Sequence, residues 1–422
     1  MKKFFIGFFL LFGISLQMMA APNSANLWVD TNGGTCVRQA TAGSYVDSQA
    51  CASIDAAWDL ALNGDVIVIK AGTYGSQTIS GNKTSPGVTV IGEPGTTIGA
   101  LATNGAFLTL EDVTVDVGSA HRVGWSTGAD NITLKRVNFH GPFFSVSIDT
   151  NNITWDGGEF GVAGQQGGQR DFCGVDNEPI TLSGANNVTF TNIKFHPQST
   201  ISNSACNHME YIRIDLGGSN FTLRNSKFDP GDGSNTATIF VTNPSGGATY
   251  TGLKLENNFF GSNAASSGTL QVHGNISSCS NWTFAYNTYK AYPGAWTCNM
   301  TGLWVGNLGA YASSSPCSGT HVKNVWQYNI PGSCGTDKWV MGTAFSTNAL
   351  GLGGTDGFRL LSGSPAIDAG EAAGYCTSSL GAVDIDGLRR PVGSACDAGA
   401  SEFGASSSLP PNPPTSPQVT VQ

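Results

Sequence analysis

The sequence predicts an all-β solenoid, because one short motif recurs along it and its composition favours short strands. The motif reads Asn, apolar, Thr, apolar, then four residues, then an aromatic residue. A unit this short cannot bury its apolar face alone and must stack on its neighbours. Only 12% of the residues are charged and 56 are Gly, which favours strands joined by turns over long helices. The motif begins at Asn131, Asn152, Asn187, Asn220 and Asn281.

Within each motif, the apolar residues at the second and fourth positions share one strand face. We expect them, and the later aromatic residue, to point into the solenoid. The repeated asparagines are then expected to form a ladder at a turn, each amide bonding its neighbour about 4.8 Å away.

The first 21 residues have the pattern of a secretory signal. Lys2 and Lys3 precede an apolar run from Phe4 to Leu16, and small residues follow at Ala20 and Ala21. No other apolar run approaches the roughly 20 residues of a spanning helix. We therefore expect a secreted or cell-surface protein without a transmembrane segment.

The charge of the chain argues against one class of partner. Its formal net charge is −9, and it becomes more negative once Lys2 and Lys3 are removed. Nucleic acids are bound by neutralising their phosphates with Lys and Arg, so no nucleic-acid partner is expected. We expect the protein to be a monomer.

Ten cysteines in an exported chain indicate five disulfides. Spacing alone does not fix the connectivity, and a zinc site is disfavoured because no CxxC pair is present. Pairing sequence neighbours predicts Cys36 with Cys51, Cys173 with Cys206, Cys279 with Cys298, Cys317 with Cys334, and Cys376 with Cys396.

A short amphipathic helix is predicted over residues 53–63. Ser53 is a suitable N-cap, and Ile54, Trp58 and Leu62 recur at helical spacing. Followed by Gly64-Asp65 and a β-rich run, this segment resembles the start of secreted right-handed parallel β-helix proteins of the pectate-lyase-like superfamily. The resemblance implies a right-handed parallel β-helix with a short N-terminal capping helix over its open end.

The chain divides by composition into five parts. We assign 1–21 to the signal peptide, 22–74 to the cap and first turn, and 75–357 to the repeats. Residues 358–404 resemble the C-terminal segment of exported β-helix proteins, and 405–422 form a Pro/Ser-rich tail.

The strands that precede the motifs can be aligned by their inward-facing apolar pairs, and this predicts which residues face outward. Glu178 is then expected to lie over Glu210, and Asp176 near His208. One outward column reads Ser147, Thr181, Arg213, Phe240 and Gln271, and the next reads Asp149, Ser183, Asp215, Thr242 and His273.

Carboxylates stacked about 5 Å apart repel each other and need a cation, the Arg213 guanidinium or a raised pKa. Oxygen-rich geometry of this kind suits Ca²⁺, with Glu178, Glu210 and Asp215 as the candidate ligands. A surface ion-pair cluster with Arg213 as the counter-ion is the alternative.

Two segments resemble turns of alginate lyases and chondroitinase B, which are β-helix polysaccharide lyases. The segments are residues 207–213 and 268–274. The resemblance implies a Ca²⁺ that neutralises a uronate carboxyl, a Lys that removes the adjacent proton, and an assisting Arg, here Arg213. Residues 237–242 carry no charge where the family places its base Lys, so His208 or His273 would have to act as base.

Two other interpretations remain open. Glycosidases use paired carboxylates, which Asp176, Glu178, Glu210 and Asp215 could supply. The chain could also be a non-catalytic adhesin, structural protein or glycan-binding protein of the cell surface or matrix, because one fold hosts many functions. In all the carbohydrate-binding cases, Tyr211 and Phe240 are expected to stack on sugar rings and Gln271 to contact them. We expect a carbohydrate-active protein, and a lyase for an acidic polysaccharide is slightly favoured.

Overall fold

A computed structural model describes residues 21–405, with gaps. The residues outside the description within that range are 117–122, 126–127, 141–145, 162–179, 197–209, 230–236, 262–267, 291–292, 297, 299, 311–318, 329–333, 342–349, 355–356, 371–374 and 377–381. Side chains of 123–125, 146–148, 244–245, 275, 295–296, 310, 328 and 341 are likewise outside it.

The chain winds into a parallel β-helix, which confirms the predicted all-β fold class. Each coil contributes strands to three faces, and every face consists of parallel strands stacked coil upon coil. Parallel stacking follows from the repeat, because the same residue types return to the same place in each coil.

Face 1 contains the first strand of each coil. Two of its strands bend through a corner and continue on face 2, so that faces 1 and 2 share one sheet of 20 strands in the described chain. Face 1 consists of Gln77–Ile79, Leu101–Thr103, Val123–Trp125, Val146–Ile148, Ile180–Ser183, Ile212–Asp215, Gly294–Trp296 and the first parts of Ile239–Thr251 and Leu270–Ala285.

Face 2 carries the Asn-x-Thr motif. It consists of Leu27–Val29, Val66–Ile69, Val88–Gly92, Leu108–Glu111, Ile132–Lys135, Ile153–Asp156, Asn186–Thr191, Gly218–Arg224, Lys254–Glu256, Met300–Val305, Thr320–Val322 and the ends of the two bent strands.

Face 3 carries the aromatic residue that ends each motif. It consists of Gly72–Tyr74, Thr96–Ile98, Thr114–Asp116, Asn138–His140, Glu159–Phe160, Lys194–Phe195, Lys227–Phe228, Phe259–Phe260, Thr288–Tyr289, Leu308–Ala310, Val325–Tyr328 and Lys338–Met341.

The core is a column of rings that runs through the coils. Phe195 stacks on Phe228 at 4.2 Å between ring centroids, and Phe228 and Tyr289 each lie 5.2 Å from Phe260. These rings are almost fully buried, as the motif predicts, and offset or parallel ring pairs add to their burial.

The predicted asparagine ladder is confirmed. The amide nitrogen of Asn152 donates to Asn131 Oδ1 at 3.2 Å, that of Asn187 to Asn152 Oδ1 at 3.0 Å, and that of Asn220 to Asn187 Oδ1 at 2.9 Å. All four residues have a positive φ between 57° and 61°. Asn tolerates this left-handed conformation better than most residues, which is why it suits the corner.

The predicted capping helix is present but shorter than expected. It spans Ile54–Leu60, and the Ser53 hydroxyl accepts a hydrogen bond from Ala56 N as an N-cap should. The prediction that Leu62 extends its apolar face is wrong, because the backbone turns extended at Ala61 and leaves Leu62 58% exposed. A 3₁₀ turn, Asp47–Gln49, precedes the helix.

Three predicted disulfides are confirmed: Cys36 to Cys51, Cys279 to Cys298, and Cys376 to Cys396. Cys334 is also disulfide-bonded, but its predicted partner Cys317 lies outside the described residues, as do Cys173 and Cys206. In the described part of the chain, no helix has the length and apolar character that a membrane span requires.

The C-terminal segment packs along the solenoid instead of adding coils. A short antiparallel pair, Leu352–Gly353 with Arg359–Leu360, leads into it. Gly399 N then donates to the carbonyl of Gly306 at 2.7 Å, and Ala400 N donates to the Thr288 hydroxyl at 2.9 Å. The segment therefore covers the corner between faces 2 and 3.

Candidate functional site

The outward column predicted from the sequence is formed on face 1. The strands pair in register so that Thr181 lies beside Arg213, Arg213 beside Phe240, and Phe240 beside Gln271. Adjacent members are therefore about 4.8 Å apart along the stack. The strand alternation puts these side chains on the face opposite to the buried Ile212 and Ile214. Arg213, Phe240 and Gln271 are partly exposed, but Thr181 is buried.

Arg213 and Asp215 form an ion pair on this outer surface. Their Nε and Oδ2 atoms are 3.3 Å apart, and their side chains retain 18% and 12% exposure. Both side chains thus keep limited contact with solvent. Arg213 is the single cation on the described strands of face 1.

An aromatic surface lies next to this pair. The rings of Phe240 and His273 are 6.2 Å apart with planes inclined by 25°. Phe240 is half-buried and His273 is exposed. A flat ligand lying over Phe240 would thus meet Arg213 on one side and His273 on the other.

Gln271 extends the column by one coil. It is half-buried, and among the described residues its Oε1 atom has no hydrogen-bond partner, as is also true of Asp215 Oδ1. Both oxygen atoms are buried from solvent, so leaving them unpaired costs free energy, and a ligand reaches them only if the side chains move.

Two site predictions are wrong in placement. Tyr211 is fully buried: its ring packs on Phe195 and Phe228, and its hydroxyl donates to the His196 carbonyl at 3.2 Å. Glu210 is also buried, with 1% exposure. The chain bends at Tyr211 just before the strand, so the alternation that holds within Ile212–Asp215 cannot be extended back to these residues.

The described carboxylates do not fit one calcium ion. Glu210 and Asp215 stand at opposite ends of the strand Ile212–Asp215, which alone spans about 10 Å at 3.3 Å per residue. Two oxygens bound to one Ca²⁺ are at most about 5 Å apart. No group of three or more potential metal ligands occurs among the described residues. A Ca²⁺ held with Glu178 stays a prediction, because Glu178 lies outside that part.

Other predicted contributors also fall outside the described residues. These are Asp176, Glu178 and His208, so the expected stacking of Glu178 over Glu210 and the place of His208 stay predictions.

The alignment of strands missed Tyr250, which supports the site from inside. Its hydroxyl accepts a hydrogen bond from Gly217 N at 3.0 Å and donates to the Thr242 carbonyl at 2.5 Å. Burial raises the pKa of Tyr250, and the Asp215 carboxylate raises it further against opposing effects of Gly217 and Arg213. The hydroxyl thus stays protonated and ties the corner after Asp215 to Thr242 on the adjacent strand of face 1.

Comparison with known structures supports the architecture. Pectate lyase Pel9A aligns with 89% of this chain and 96% of its own, with 13% identity and a TM-score of 0.52. A likeness at this identity shows the fold, a parallel β-helix.

Two other structures align more loosely and add nothing to that conclusion. A variant of the PL6 family alginate lyase AlyGC has a TM-score of 0.32 at 12% identity, over 69% of this chain and 52% of its own. A catalytic domain of a GH87 alpha-1,3-glucanase has a TM-score of 0.23 at 11% identity, over 72% and 70%. No protein-family model and no curated protein matches the sequence.

Proposed function

We propose that this chain is an exported carbohydrate-active protein that binds an acidic polysaccharide on face 1 and cleaves it by β-elimination. The observation that carries the proposal is the arrangement of Arg213, Phe240 and His273, a cation and a base on either side of an aromatic ring. The likeness to pectate lyase Pel9A supports a fold that hosts such chemistry.

Arg213 would bind the uronate carboxylate. A guanidinium forms paired, charge-assisted hydrogen bonds with a carboxylate, and its partial burial strengthens them relative to open water. Neutralising the carboxylate acidifies the proton on the adjacent ring carbon. Asp215 holds the Arg213 side chain in place at 3.3 Å.

His273 would accept that proton while the bond from the next ring carbon to the glycosidic oxygen breaks. A carbon–carbon double bond forms between the two ring carbons, and the departing oxygen takes a proton from water. The described strands of face 1 carry no Lys, and His273 is their exposed base. A neutral imidazole is an effective base near neutral pH. His273 stacks on Phe240 and lies one coil beyond it, two coils from Arg213.

Export is part of the proposal. The N-terminal signal pattern and three described disulfides both suit an oxidising extracellular compartment.

Hydrolysis is the second candidate, favoured by the spacing of two carboxylates. Ser183 lies beside Asp215, and continuing the register of Ser147 with Thr181 puts Asp149 beside Ser183. Asp149 and Asp215 then stand about 9.6 Å apart along the stack, near the range used by inverting glycosidases.

The test is a time course of the mature protein on polygalacturonate, alginate and chondroitin sulfate, with Ca²⁺ or with chelator. Ultraviolet absorbance of unsaturated uronate and new reducing ends are recorded together. Both signals rising establishes β-elimination, and reducing ends alone establish hydrolysis.

Binding is measured on the same glycans. Affinity without turnover would indicate a glycan-binding protein and overturn the proposal that the chain cleaves the polysaccharide. Neither turnover nor affinity for any of the three would overturn the proposed function. Activity with added Ca²⁺ that is lost when chelator is added instead would support a bound Ca²⁺.

A further inference from the structure

Leu216 has an unusual combination of backbone strain and exposure. It directly follows Asp215 at the corner where the chain leaves face 1. Its φ is 58°, and its side chain is 55% exposed. A bulky residue in the left-handed region costs conformational energy that Gly would avoid, and exposing an apolar side chain there brings no burial in return.

The preceding coil solves the same corner with glycine. Ser183 pairs with Asp215, so Gly184, with φ of 63°, lies in the place next to Leu216. A Cβ built on Gly184 would meet no atom within 4 Å. A larger side chain would therefore fit at this corner. Glycine is favoured there because of the positive φ, and Leu216 adopts that conformation without being glycine.

The corner is held firmly in spite of the strain. Gly217 and Gly218 follow with φ of 89° and 150°, so the segment is intrinsically permissive. The buried Tyr250 hydroxyl fixes it by accepting a hydrogen bond from Gly217 N and donating one to the Thr242 carbonyl. Leu216 is thus presented to solvent from a fixed backbone beside the Arg213–Asp215 pair.

We propose that Leu216 packs against the apolar C–H face of a sugar ring whose carboxylate is bound by Arg213. Strained backbone positions cluster at functional sites. Sugar rings carry both polar edges and apolar C–H faces. The half-buried Phe240 lies beside Arg213 in register. The exposed Leu216 directly follows Asp215, so two apolar groups flank the ion pair. The inference rests on the proposed function and adds a specificity-determining contact to it.

Three variants separate side-chain contact from backbone strain. Leu216→Ala removes most of the side chain and keeps the strained backbone. Leu216→Gly removes both. Lys323→Gly is the matched control, since Lys323 is exposed with φ of 55° at a corner between faces 2 and 3. Affinity for polygalacturonate and alginate is measured by calorimetry, and thermal unfolding is followed in parallel.

Both Leu216 variants are expected to bind the glycan about 10-fold more weakly, the loss typical of deleting a Leu side chain buried by a ligand. Leu216→Gly and Lys323→Gly are expected to raise the melting temperature by roughly 1–2 °C, while Lys323→Gly binds like the parent. A more stable but weaker-binding Leu216→Gly is the signature of a strained contact residue.

Two results would overturn the inference. If the parent protein binds the glycan and both Leu216 variants bind it equally well, Leu216 does not contact the sugar. The proposed function would then stand without this contact. A destabilised Leu216→Gly would show that the side chain serves the fold. If the parent binds neither glycan, the proposed function fails first and the inference fails with it.

Discussion

The carboxylate of Asp337 closes a buried ladder of asparagine side chains by accepting two hydrogen bonds from Asn324. Its Oδ1 atom lies 2.7 Å from Asn324 Nδ2 and 3.1 Å from the Asn324 backbone nitrogen. Its Oδ2 atom accepts from Trp326 Nε1 at 2.7 Å and lies 2.8 Å from His321 Nδ1. A fully buried carboxylate is tolerated because these donors replace water.

Every asparagine of the ladder has its side-chain amide satisfied. The Oδ1 atoms of Asn287, Asn307 and Asn324 each accept from the backbone nitrogen and Nδ2 of the asparagine one coil earlier, at 2.8 to 3.0 Å. Asn258 Oδ1 accepts from Ser226 N at 2.9 Å. Each Nδ2 also donates to a backbone carbonyl. The members are Asn258, Asn287, Asn307 and Asn324, all fully buried.

Replacing a central ladder residue should be costly. Asn287→Ala removes the side-chain donor to Asn307 Oδ1 and to the Leu255 carbonyl. It also removes the acceptor of the Asn258 backbone nitrogen and of one Asn258 Nδ2 hydrogen bond. We expect a loss of about 2–4 kcal/mol in the free energy of unfolding, measured with denaturant. Asn187→Gly in the exposed ladder is the control and should cost less than about 1 kcal/mol, because water replaces the lost bonds and Gly tolerates its φ of 57°. Equal losses would contradict the prediction.

Stability should depend on pH through His196. This buried imidazole contacts Glu159 through Nε2, and its Nδ1 lies 3.3 Å from Asp229 Oδ2. Burial alone would lower the pKa of His196, but hydrogen bonds to Asp229 and Glu159 outweigh it and raise the pKa to about 8 from 6.5. The stabilisation is fully present below pH 6.5 and is lost as the pH rises through about 8.

Urea unfolding between about pH 6 and 9 tests this dependence. The free energy of unfolding should fall by about 1–2 kcal/mol across that window in the parent protein and stay flatter in His196→Gln. The pKa values of Glu159 and Asp229 are lowered, so these carboxyls stop stabilising the fold only when the pH falls into the acidic range, outside this window. Parallel curves for the two proteins would argue against His196 as the titrating group.

The C-terminal segment should depend on Arg390. This buried guanidinium donates to the carbonyls of Asp397 at 3.1 Å and Gly399 at 2.8 Å, and to Asn257 Oδ1 at 3.1 Å. Burial raises the pKa of the nearby Asp397 and Glu402 carboxyls, which the positive charge of Arg390 opposes.

Arg390→Met leaves these carboxyls without their counter-charge and should destabilise the segment by about 3–5 kcal/mol. Limited proteolysis, read by mass spectrometry, should then cleave within residues 358–404 before the solenoid. Arg389→Ala, at the exposed neighbouring position, should be cleaved like the parent. Cleavage spread evenly over the chain of Arg390→Met would show that the residue supports the whole fold.

Arg213→Ala should abolish glycan turnover, because the uronate carboxylate would lose its partner. The melting temperature should stay near that of the parent, since the ion pair with Asp215 is partly exposed and contributes little to stability. Arg38→Ala, which breaks a comparable pair with Asp65 near the N-terminus, should leave turnover unchanged. A large folding defect in Arg213→Ala would count against a site at this position.

The face 1 column was predictable from sequence because β-strand geometry is local and has period two. Arg213, Phe240 and Gln271 fall in register once their inward apolar neighbours are aligned. The exposed asparagine ladder was predictable from the same repeat. The three described disulfides were predictable by pairing cysteines that are neighbours in sequence. The buried ladder was missed, although each of its asparagines precedes the face 3 strand of its coil, a recurring signal outside the chosen motif.

The sequence by itself determined the coil, its register and the residue types facing outward, because each depends on short-range periodicity repeated many times. Only the tertiary structure decided that Tyr211 and Glu210 are buried, that Leu216 is strained and exposed, and that Tyr250, on the adjacent strand Ile239–Thr251, supports the site. These properties depend on where the backbone bends and on contacts between neighbouring coils. No local pattern of residues encodes either one.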